Sequence, residues 1–259
     1  METFITVEEA RKHILFGVDR LSSTRVFLSE ALGARTAQRV EAPEDSPRFD
    51  NSSRDGFALR WEDIADGGAE LDLVGESAAG EVPDRPLRAG EAMPITTGGK
   101  MPEGADTVVM QENCQRVGGT LTVPDPPEAG QGAWVRHTGS HLAAGEAVVQ
   151  PGDAIGPAEI GALASFRTSR LDVYRRPRVA VVSTGNELVD IDEEPGDGQI
   201  VNSNAHLLAA LIREAGGEPL VQPAVPDDYD ATMEAFKHAI EAADMIVSSG
   251  GVSVGAHDE

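Results

Sequence analysis

The first apolar pattern in the chain is helical. Thr6 and Glu9 have the spacing of a capping box. Apolar residues then recur every three or four positions, at Val7, Ala10, Ile14, Val18 and Leu21. This spacing predicts a helix over residues 7–21 and a short helical turn at residues 29–33.

The pattern becomes β-like after Thr36. Between residues 43 and 136 the chain is rich in Gly and Pro, and short apolar runs alternate with polar positions. The segments 107–111 and 120–123 flank Gly118–Gly119, which predicts a hairpin. We therefore expect an inserted β-domain over residues 43–138.

A mixed segment follows the β-domain. Pro157 stands at the first position of an apolar helical pattern, which is a favoured place for proline. A helical start, a β insertion and a helical return predict that residues 1–42 and 139–174 form one discontinuous domain of mixed α/β character.

The remaining residues, 175–259, alternate between strands and helices. Apolar runs predict strands at 178–183, at 220–225 and from Met245 onward, and the helices between them are expected to be capped by Ser203 or Asn204 and by Asp230. This alternation is typical of a parallel sheet with right-handed crossovers. The predicted fold class is multidomain α/β plus β.

Polar loops follow all three predicted strands of this last domain. Carboxyl ends of parallel strands lie at one edge of a sheet, so Glu187, Asp227 and Asp258 are expected to converge. Carboxylate oxygens suit Mg²⁺. Helix capping is the alternative role for Asp227, and also for its neighbour Asp228.

The last of these loops is rich in glycine and hydroxyl groups. Glycine lets the backbone approach a bound group, and successive N–H groups can hold an anion. The candidate anion-binding residues are Ser249, Gly250, Gly251 and Ser253.

Two turns of the β-domain carry further candidates. Asp55 lies in DNSSRDGFALR and Thr97 lies in ITTGGK. Each turn can be structural or part of a site, because Asp, Asn and Gly are common turn residues. Lys100 could pair with a phosphate or be solvated.

Charge and hydrophobicity exclude some classes of function for this chain. The net charge is −23, which argues against a nucleic-acid partner, and the apolar runs are too short to cross a membrane. With no secretory signal in view, we expect a cytoplasmic protein. Lys12, Lys100 and Lys237 are the only lysines, so the acidic surface indicates either adaptation to high salt or ordinary solubilising charge.

The thiol and imidazole groups give no metal site. Cys114 is the only cysteine and is expected to be a buried structural thiol. His137 and His141 are four residues apart, but the intervening Thr138 and Gly139 argue against a helix that would align them.

Seven stretches in register resemble the MoeA family of molybdopterin molybdenumtransferases, which share their architecture with the gephyrin E domain. The stretches are DNSSRDGFALR, ITTGGKMPEGADTVVMQE, VRHTGSHLAAGE, PAEIGALASF, YRRPRVAVVSTGNEL, GDGQIVNSN and SSGGVSVGAHD. The resemblance implies transfer of molybdate to adenylated molybdopterin, with Mg²⁺ and release of AMP. It also implies a homodimer, in which each cleft lies between domain III of one subunit and domain II of the other.

Site residues carry over from the family by position. The resemblance implies catalytic roles for Asp55, Thr97 and Glu187, and Mg²⁺ binding by Asp227 and Asp258. It assigns the pterin or its phosphate to the glycine-rich loop defined above. Residues 175–259 then form an incomplete molybdopterin-binding domain III of the MogA/MoaB type.

The chain also departs from the family pattern. The family usually has methionine at the position of Arg54, tyrosine at that of Phe57, and an acid at that of His141. The family sequence continues past GGVSVG into a lysine- and proline-bearing stretch and a C-terminal domain IV. We therefore expect this chain to be the N-terminal portion of such a protein. The alternatives are a non-catalytic, shortened paralogue that binds molybdopterin or dimerises, and, less favoured, adenylyl transfer to molybdopterin.

Overall fold

The computed structural model describes residues 5–250, which form helices, short 3-10 turns and many short strands. The helices are α1 (Val7–Phe16), α2 (Pro157–Ser165), α3 (Ser203–Glu214) and α4 (Tyr229–Ala242), and the 3-10 turns are Leu28–Glu30, Trp61–Asp63 and Gln111–Asn113. The strands are β1 (Ser23–Phe27), β2 (Arg35–Thr36), β3 (Val40–Glu41), β4 (Asn51–Ser52), β5 (Gly56–Leu59), β6 (Ala69–Leu73), β7 (Glu91–Ile95), β8 (Thr107–Met110), β9 (Gln115–Val117), β10 (Thr120–Val123), β11 (Val135–Arg136), β12 (Ala147–Val149), β13 (Arg170–Tyr174), β14 (Arg178–Ser183), β15 (Leu188–Val189), β16 (Ile200–Val201), β17 (Glu218–Val221) and β18 (Met245–Ser249).

The chain divides into two compact units. One unit, the β-unit, is Arg39–Val149, and the other, the split unit, combines the residues up to Gln38 with those from Gln150 onward. In the part of the chain described here, no helix is long and apolar enough to cross a membrane.

The split unit joins its two sequence segments through a three-stranded antiparallel sheet. β13 lies between β1 and β2, and Ser23 pairs with Tyr174 at one end of the β1–β13 ladder. Leu163 of α2 and Leu171 of β13 are fully buried. The proline at the start of α2 is in the predicted position.

Helix α1 is shorter than the apolar pattern predicts. The capping box of Thr6 and Glu9 is present, but the helix ends at Phe16, and the N–H of Gly17 donates to Ile14. Glycine is a poor helix former, which favours termination there. The helix contains no buried residue, so the apolar spacing here does not mark contact with a core within the described residues.

A parallel sheet forms the second part of the split unit, as predicted. Its strand order is β17–β14–β18, and both pairings are parallel. Ala180 and Val182 of the central strand β14 pack with Val225 and with Ala239 of α4. β14 begins and ends at the predicted residues.

The helix caps in this sheet region differ from the predicted ones by one or two residues. Asn202 is the N-cap of α3, and its side chain accepts from the N–H of Ala205 at 3.2 Å. Asp228 caps α4 and accepts from the N–H of Ala231 at 2.9 Å. The predicted strand at 220–225 is found at Glu218–Val221. Several polar residues precede each helix, so only the backbone geometry decides which of them is the cap.

The β-unit is built on a six-stranded sheet with the order β8–β5–β7–β6–β10–β9. Every residue of β5 is buried, and Leu59 contributes to a core that includes Leu71, Leu121 and Val123. The hairpin around Gly118–Gly119 pairs β10 with β9 instead of the predicted segment 107–111. That segment forms β8, which pairs with β5 at the other edge of the sheet, because its apolar residues are buried there.

An ion pair connects the start of the parallel sheet to the residues before it. Both terminal guanidinium nitrogens of Arg175 donate to the Asp244 carboxylate, which also accepts from the N–H of Arg178 at 2.8 Å. The Arg175 bonds, followed by the Arg178 bond, hold the pKa of Asp244 well below its usual range. A carboxyl group with a lowered folded-state pKa stabilises the fold above its unfolded pKa, about 3.9. This contribution is lost as the pH falls through the folded value.

We therefore expect Asp244→Asn to be less stable than the wild type at neutral pH, with a difference that shrinks as the pH falls below about 4. Urea denaturation at several pH values measures this. The control is Asp172→Asn, which removes a more exposed pair with Arg25 at 3.9 Å and should have a much smaller effect. A pH-independent loss in Asp244→Asn would contradict the electrostatic origin.

Candidate functional site

The loops that follow β14, β17 and β18 meet at one edge of the parallel sheet. The N–H of Thr184 donates to the carbonyl of Ser249 at 3.1 Å, and the N–H of Gly185 donates to that of Val225 at 3.0 Å. Parallel strands place their carboxyl ends together, and these bonds fix the three loops to one another.

Two of the predicted acidic residues lie at this edge. Asp227 and Asn186 bond reciprocally: the Asp227 carboxylate accepts from the Asn186 N–H at 3.3 Å, and the Asn186 side-chain oxygen accepts from the Asp227 N–H at 3.1 Å. The Glu187 carboxylate lies over Gly185, where an added Cβ would come within 2.6 Å of it. Asp258 lies outside the described residues.

The start of the glycine-rich loop is held in the same place. The Ser249 hydroxyl oxygen accepts from the Asn204 amide at 3.2 Å. Gly250 has φ of 100°, and a Cβ there would lie 2.7 Å from the Thr184 carbonyl, so the position requires glycine. Gly251 and Ser253 are outside the described residues.

In the β-unit, the structure brings Asp55 and Thr97 into direct contact. One Asp55 carboxylate oxygen accepts from the Thr97 N–H at 2.7 Å and from the Thr97 hydroxyl at 2.9 Å. The backbone bond, followed by the hydroxyl bond, lowers the pKa of Asp55. Asp55 is exposed, so it presents a carboxylate to solvent at neutral pH.

The two turns that carry Asp55 and Thr97 are tied together by the backbone. The N–H of Gly98 donates to Ser52 at 2.8 Å, and the N–H of Ser52 donates to Gly99 at 3.0 Å. A Cβ on Gly99 would lie 2.5 Å from the Ser77 carbonyl, so this close approach needs glycine. The glycines of the TTGG turn therefore serve to bring Thr97 to Asp55.

A cation–aromatic pair lies beside Asp55. The Arg54 guanidinium carbon is 4.9 Å from the centre of the Trp134 ring. Trp134 has φ of 59°, which is unusual for a bulky residue, and its carbonyl accepts from the N–H of Ser53 at 2.8 Å and from its hydroxyl at 3.0 Å. Lys100 forms a second cation–aromatic pair in the β-unit, with its Nζ 5.9 Å from the Phe49 ring centre.

Among the residues that the structure describes, the thiol and the histidines form no hydrogen bond or ion pair with the acidic residues of these clusters. Cys114 is half-buried against the β-unit core, and burial raises the pKa of its thiol to about 11, which disfavours the reactive thiolate. His137 lies 3.0 Å from Asp50. Within residues 5–250, no group of three or more His, Cys, Asp or Glu side chains has the geometry of a metal site.

Removing the Thr97 hydroxyl gives a direct test of the Asp55 contact. In Thr97→Val we expect the pKa of Asp55 to rise toward its ordinary range, but only part of the way because the backbone N–H bond remains. Carboxyl-carbon NMR titration measures it. Asp50 is an internal reference, since Thr138 and His137 lower its pKa. An unchanged Asp55 pKa would contradict the hydroxyl bond.

Several residues at these sites were not singled out from the sequence. Asn186 lies within STGNE and Asn204 within NSN, so the motifs contained a usable signal. Ser183, the last residue of β14 and the register partner of Ser249 at this sheet edge, follows an apolar run and gave no such signal. The contact of Arg54 with Trp134 joins residues far apart in sequence and had none either.

Comparisons with known proteins match two segments of the chain to molybdopterin-related family models. Residues 5–166 match the family model "MoeA N-terminal region (domain I and II)", and residues 180–259 match "Probable molybdopterin binding domain". A molybdopterin molybdenumtransferase of Nostoc sp. is 41% identical over 237 residues, covering 90% of this chain and 54% of its own length. One from Staphylococcus aureus is 33% identical over 258 residues, covering 98% of this chain and 61% of its own length.

Solved structures agree with this assignment of the fold. A molybdopterin biosynthesis moeA protein from Pyrococcus horikoshii OT3 matches with a TM-score of 0.86 and 30% identity, over 94% of this chain and 65% of that one. A second P. horikoshii structure matches with a TM-score of 0.78 and 31% identity, over 95% and 64%. The chain thus spans between half and two thirds of the length of these relatives, and the predicted mixed α/β fold is confirmed.

Proposed function

The chain belongs to the MoeA family of molybdopterin molybdenumtransferases, and on that premise we propose that it acts in molybdenum cofactor biosynthesis. The proposed reaction inserts molybdate into adenylated molybdopterin and releases AMP. The observation that carries the proposal is the convergence of the loops after β14, β17 and β18, which places Glu187, Asp227 and Ser249 at one sheet edge within the segment that matches a molybdopterin-binding domain.

The proposed roles follow the chemistry of each group. Asp55, with its lowered pKa and its two bonds from Thr97, offers an oriented carboxylate, and Glu187 offers another at the sheet edge. The loop that begins at Ser249 supplies hydroxyl and N–H donors for the pterin or its phosphate. We assign residues 1–42 and 139–174 to domain I, 43–138 to domain II and 175–259 to domain III.

Asp227 and Asp258 are the proposed Mg²⁺ ligands. Mg²⁺ is commonly bound by one or two carboxylates together with substrate phosphates, so two aspartates are enough protein ligands for this ion. Mg²⁺ at this position would offset negative charge on the phosphates and on the departing AMP. The two bonds between Asp227 and Asn186 hold the carboxylate at the loop edge.

A net charge of −23 opposes the approach of anionic substrates. Arg54 is exposed and rests on Trp134, and Lys100 lies in the adjoining turn. We assign these two cations to local attraction of the substrate. The methionine that the family usually has at the position of Arg54 would not supply this charge.

We also propose that the chain forms a homodimer. Large apolar side chains on and just after α1 are exposed, among them Val7 at 86% and Phe16 at 95%. A helix in water normally places its apolar residues against a partner surface, and clustered exposed apolar residues are typical of interfaces.

Phe16→Glu is expected to weaken self-association, because it places a charge in this apolar cluster. Sedimentation equilibrium measures the dissociation constant. Lys12→Glu is the matched control, since it makes a larger change in charge on the same helix without removing an apolar side chain. A wild-type monomer, or a Phe16→Glu dimer as tight as the wild type, would contradict an interface at α1.

The proposed reaction is tested by incubating the chain with adenylated molybdopterin, molybdate and Mg²⁺ and measuring AMP. We expect AMP release that requires both Mg²⁺ and molybdate. Calorimetric titration with adenylated molybdopterin, carried out in parallel, separates the alternative function. Binding without AMP release would favour a non-catalytic binding module over the transferase.

A further inference from the structure

The central strand of the parallel sheet ends in a buried hydroxyl group without a partner. Ser183 is 1% exposed, and its Oγ has no hydrogen-bond partner within residues 5–250. Among these residues it is the only buried side-chain nitrogen or oxygen in that condition. Because an unpaired buried hydroxyl destabilises a fold, its presence at a loop edge indicates that a ligand completes it.

The strand register shows where this hydroxyl points. Ala180 and Val182 face α4, so the alternation along β14 directs Ser183 to the opposite face of the sheet. Ser183 pairs in register with Ser249 of the adjacent strand β18, and paired residues of parallel strands project from the same face. The Ser249 hydroxyl oxygen accepts from the amide of Asn204, in the first turn of α3. Ser183 therefore faces the N-terminus of α3.

That helix end carries donors available for an anion. The side chain of Asn202 caps the N–H of Ala205, while the N–H groups of Ser203 and Asn204 have no acceptor in the described part of the chain. The positive end of the helix dipole and free N–H groups favour a negative ligand. Since Ser249 accepts from Asn204, its own hydroxyl hydrogen remains free to donate.

The acidic side chain of Asp227 lies on the other side of the central strand. In the order β17–β14–β18, Asp227 follows β17, whereas Ser249 ends β18. The edge is therefore divided between a carboxylate side and a donor side. A cation can then bind between an anion on the donor side and the carboxylate on the other side. The two negative groups are kept apart in this arrangement and do not repel each other directly.

We propose that Ser183, Ser249 and the first turn of α3 form a binding subsite for a tetrahedral oxyanion. The donors are the two serine hydroxyl groups and the N–H groups of Ser203 and Asn204. A phosphate group and molybdate share the required chemistry. The identification of the ligand as a group of the transferase substrates rests on the proposed function, whereas the subsite itself does not.

The test uses the whole chain at fixed Mg²⁺ concentration, with inorganic phosphate and molybdate as separate probes. We expect either probe to raise the melting temperature of the wild type, since a ligand bound only to the folded state stabilises it. Ser183→Ala should lose this rise and bind the anion about tenfold more weakly by calorimetry. The probe with the larger effect identifies the source of the oxyanion.

A second readout separates binding from a structural role. Without anion, Ser183→Ala should melt at or above the wild-type temperature, because the substitution removes an unpaired buried polar group. Ser165→Ala on α2, an exposed serine distant in sequence, should keep the anion-dependent rise. Ser249→Ala provides the same test if Ser183→Ala does not fold.

Two results would overturn the subsite: no melting shift of the wild type with either anion, or an undiminished shift in Ser183→Ala. These outcomes are independent of AMP release. A chain that binds phosphate through Ser183 but releases no AMP would refute the proposed reaction and leave the subsite standing. If the Ser183→Ala protein releases AMP normally and keeps its anion-dependent rise in melting temperature, the subsite is refuted and the proposed reaction stands.

Discussion

Gly56→Ala is expected to destabilise the β-unit by about 3 kcal/mol, at the upper end of the usual cost of overpacking a core. A Cβ at this position would lie 2.1 Å from the carbonyl oxygen of Val109, far inside van der Waals contact. The obstructing atom belongs to the backbone of β8, which pairs with β5, so no side-chain rotation can relieve the contact. The two strands would have to separate.

Urea denaturation measures the free energy of unfolding of the variant. Gly119→Ala, in the turn between β9 and β10, is the matched control in the same unit, because a Cβ there meets nothing within 4 Å and φ lies outside the left-handed region. Its effect should stay within about 0.5 kcal/mol. A Gly56→Ala protein as stable as the Gly119→Ala protein would contradict the close approach of β5 and β8.

The same substitution should also disturb the candidate site. Gly56 directly follows Asp55, and the N–H of Gln111, just after β8, donates to the Asp55 carbonyl at 3.2 Å. Shifting β8 therefore shifts the backbone that directs Asp55 toward Thr97. The glycine of the RDGF turn has a packing role that fixes the position of its acidic neighbour.

Local patterns predicted the elements of the parallel sheet well. The limits of β14 were correct because a run of small and β-branched apolar residues between a linker and a polar turn leaves few alternatives. Pairing was harder to predict. β8 and β9 both precede the Gly118–Gly119 turn, and only the burial of β8 against β5 decides which of them forms the hairpin with β10.

Apolar spacing also overstated the burial of some helices. On α3 four large apolar residues recur at helical spacing, at Leu207, Leu208, Leu211 and Ile212. Leu207 and Leu211 are nevertheless exposed, while Ala205 and Ala209 are buried. Small residues allow close approach of the helix to the sheet, so the contact face is centred on the alanines. Periodicity identifies the helix, but the size of the facing residues determines which side packs.

The candidate site was predictable where topology alone determines it. Parallel strands must bring their carboxyl ends together, so the shared edge for Glu187 and Asp227 follows from the order of elements. The partners of these residues do not follow from that order. The contact of Arg54 with Trp134 and the unpaired hydroxyl of Ser183 depend on side-chain positions that only the folded structure defines.

Asp227→Asn is expected to reduce Mg²⁺-dependent AMP release by roughly a hundredfold or more, the loss that follows when several kcal/mol of transition-state stabilisation are removed. Asparagine keeps the shape of the side chain and an oxygen that can accept from the Asn186 N–H, so the loop should be retained. What is lost is the negative charge that would hold the metal.

The neighbouring Asp228→Asn variant is the matched control for this experiment. Asp228 caps α4, and asparagine is an equally good N-cap, so both stability and AMP release should remain close to the wild type. Titrating Mg²⁺ separates affinity from turnover: a ligand role requires Asp227→Asn to need more Mg²⁺. If Asp227→Asn lost activity with unchanged Mg²⁺ dependence, Asp227 would act on the substrate instead of the metal. If Asp227→Asn stayed fully active while Asp228→Asn lost activity, the capping residue Asp228 would be the functional acid. The two variants can distinguish these adjacent carboxylates because each accepts from a different N–H group, that of Asn186 for Asp227 and that of Ala231 for Asp228.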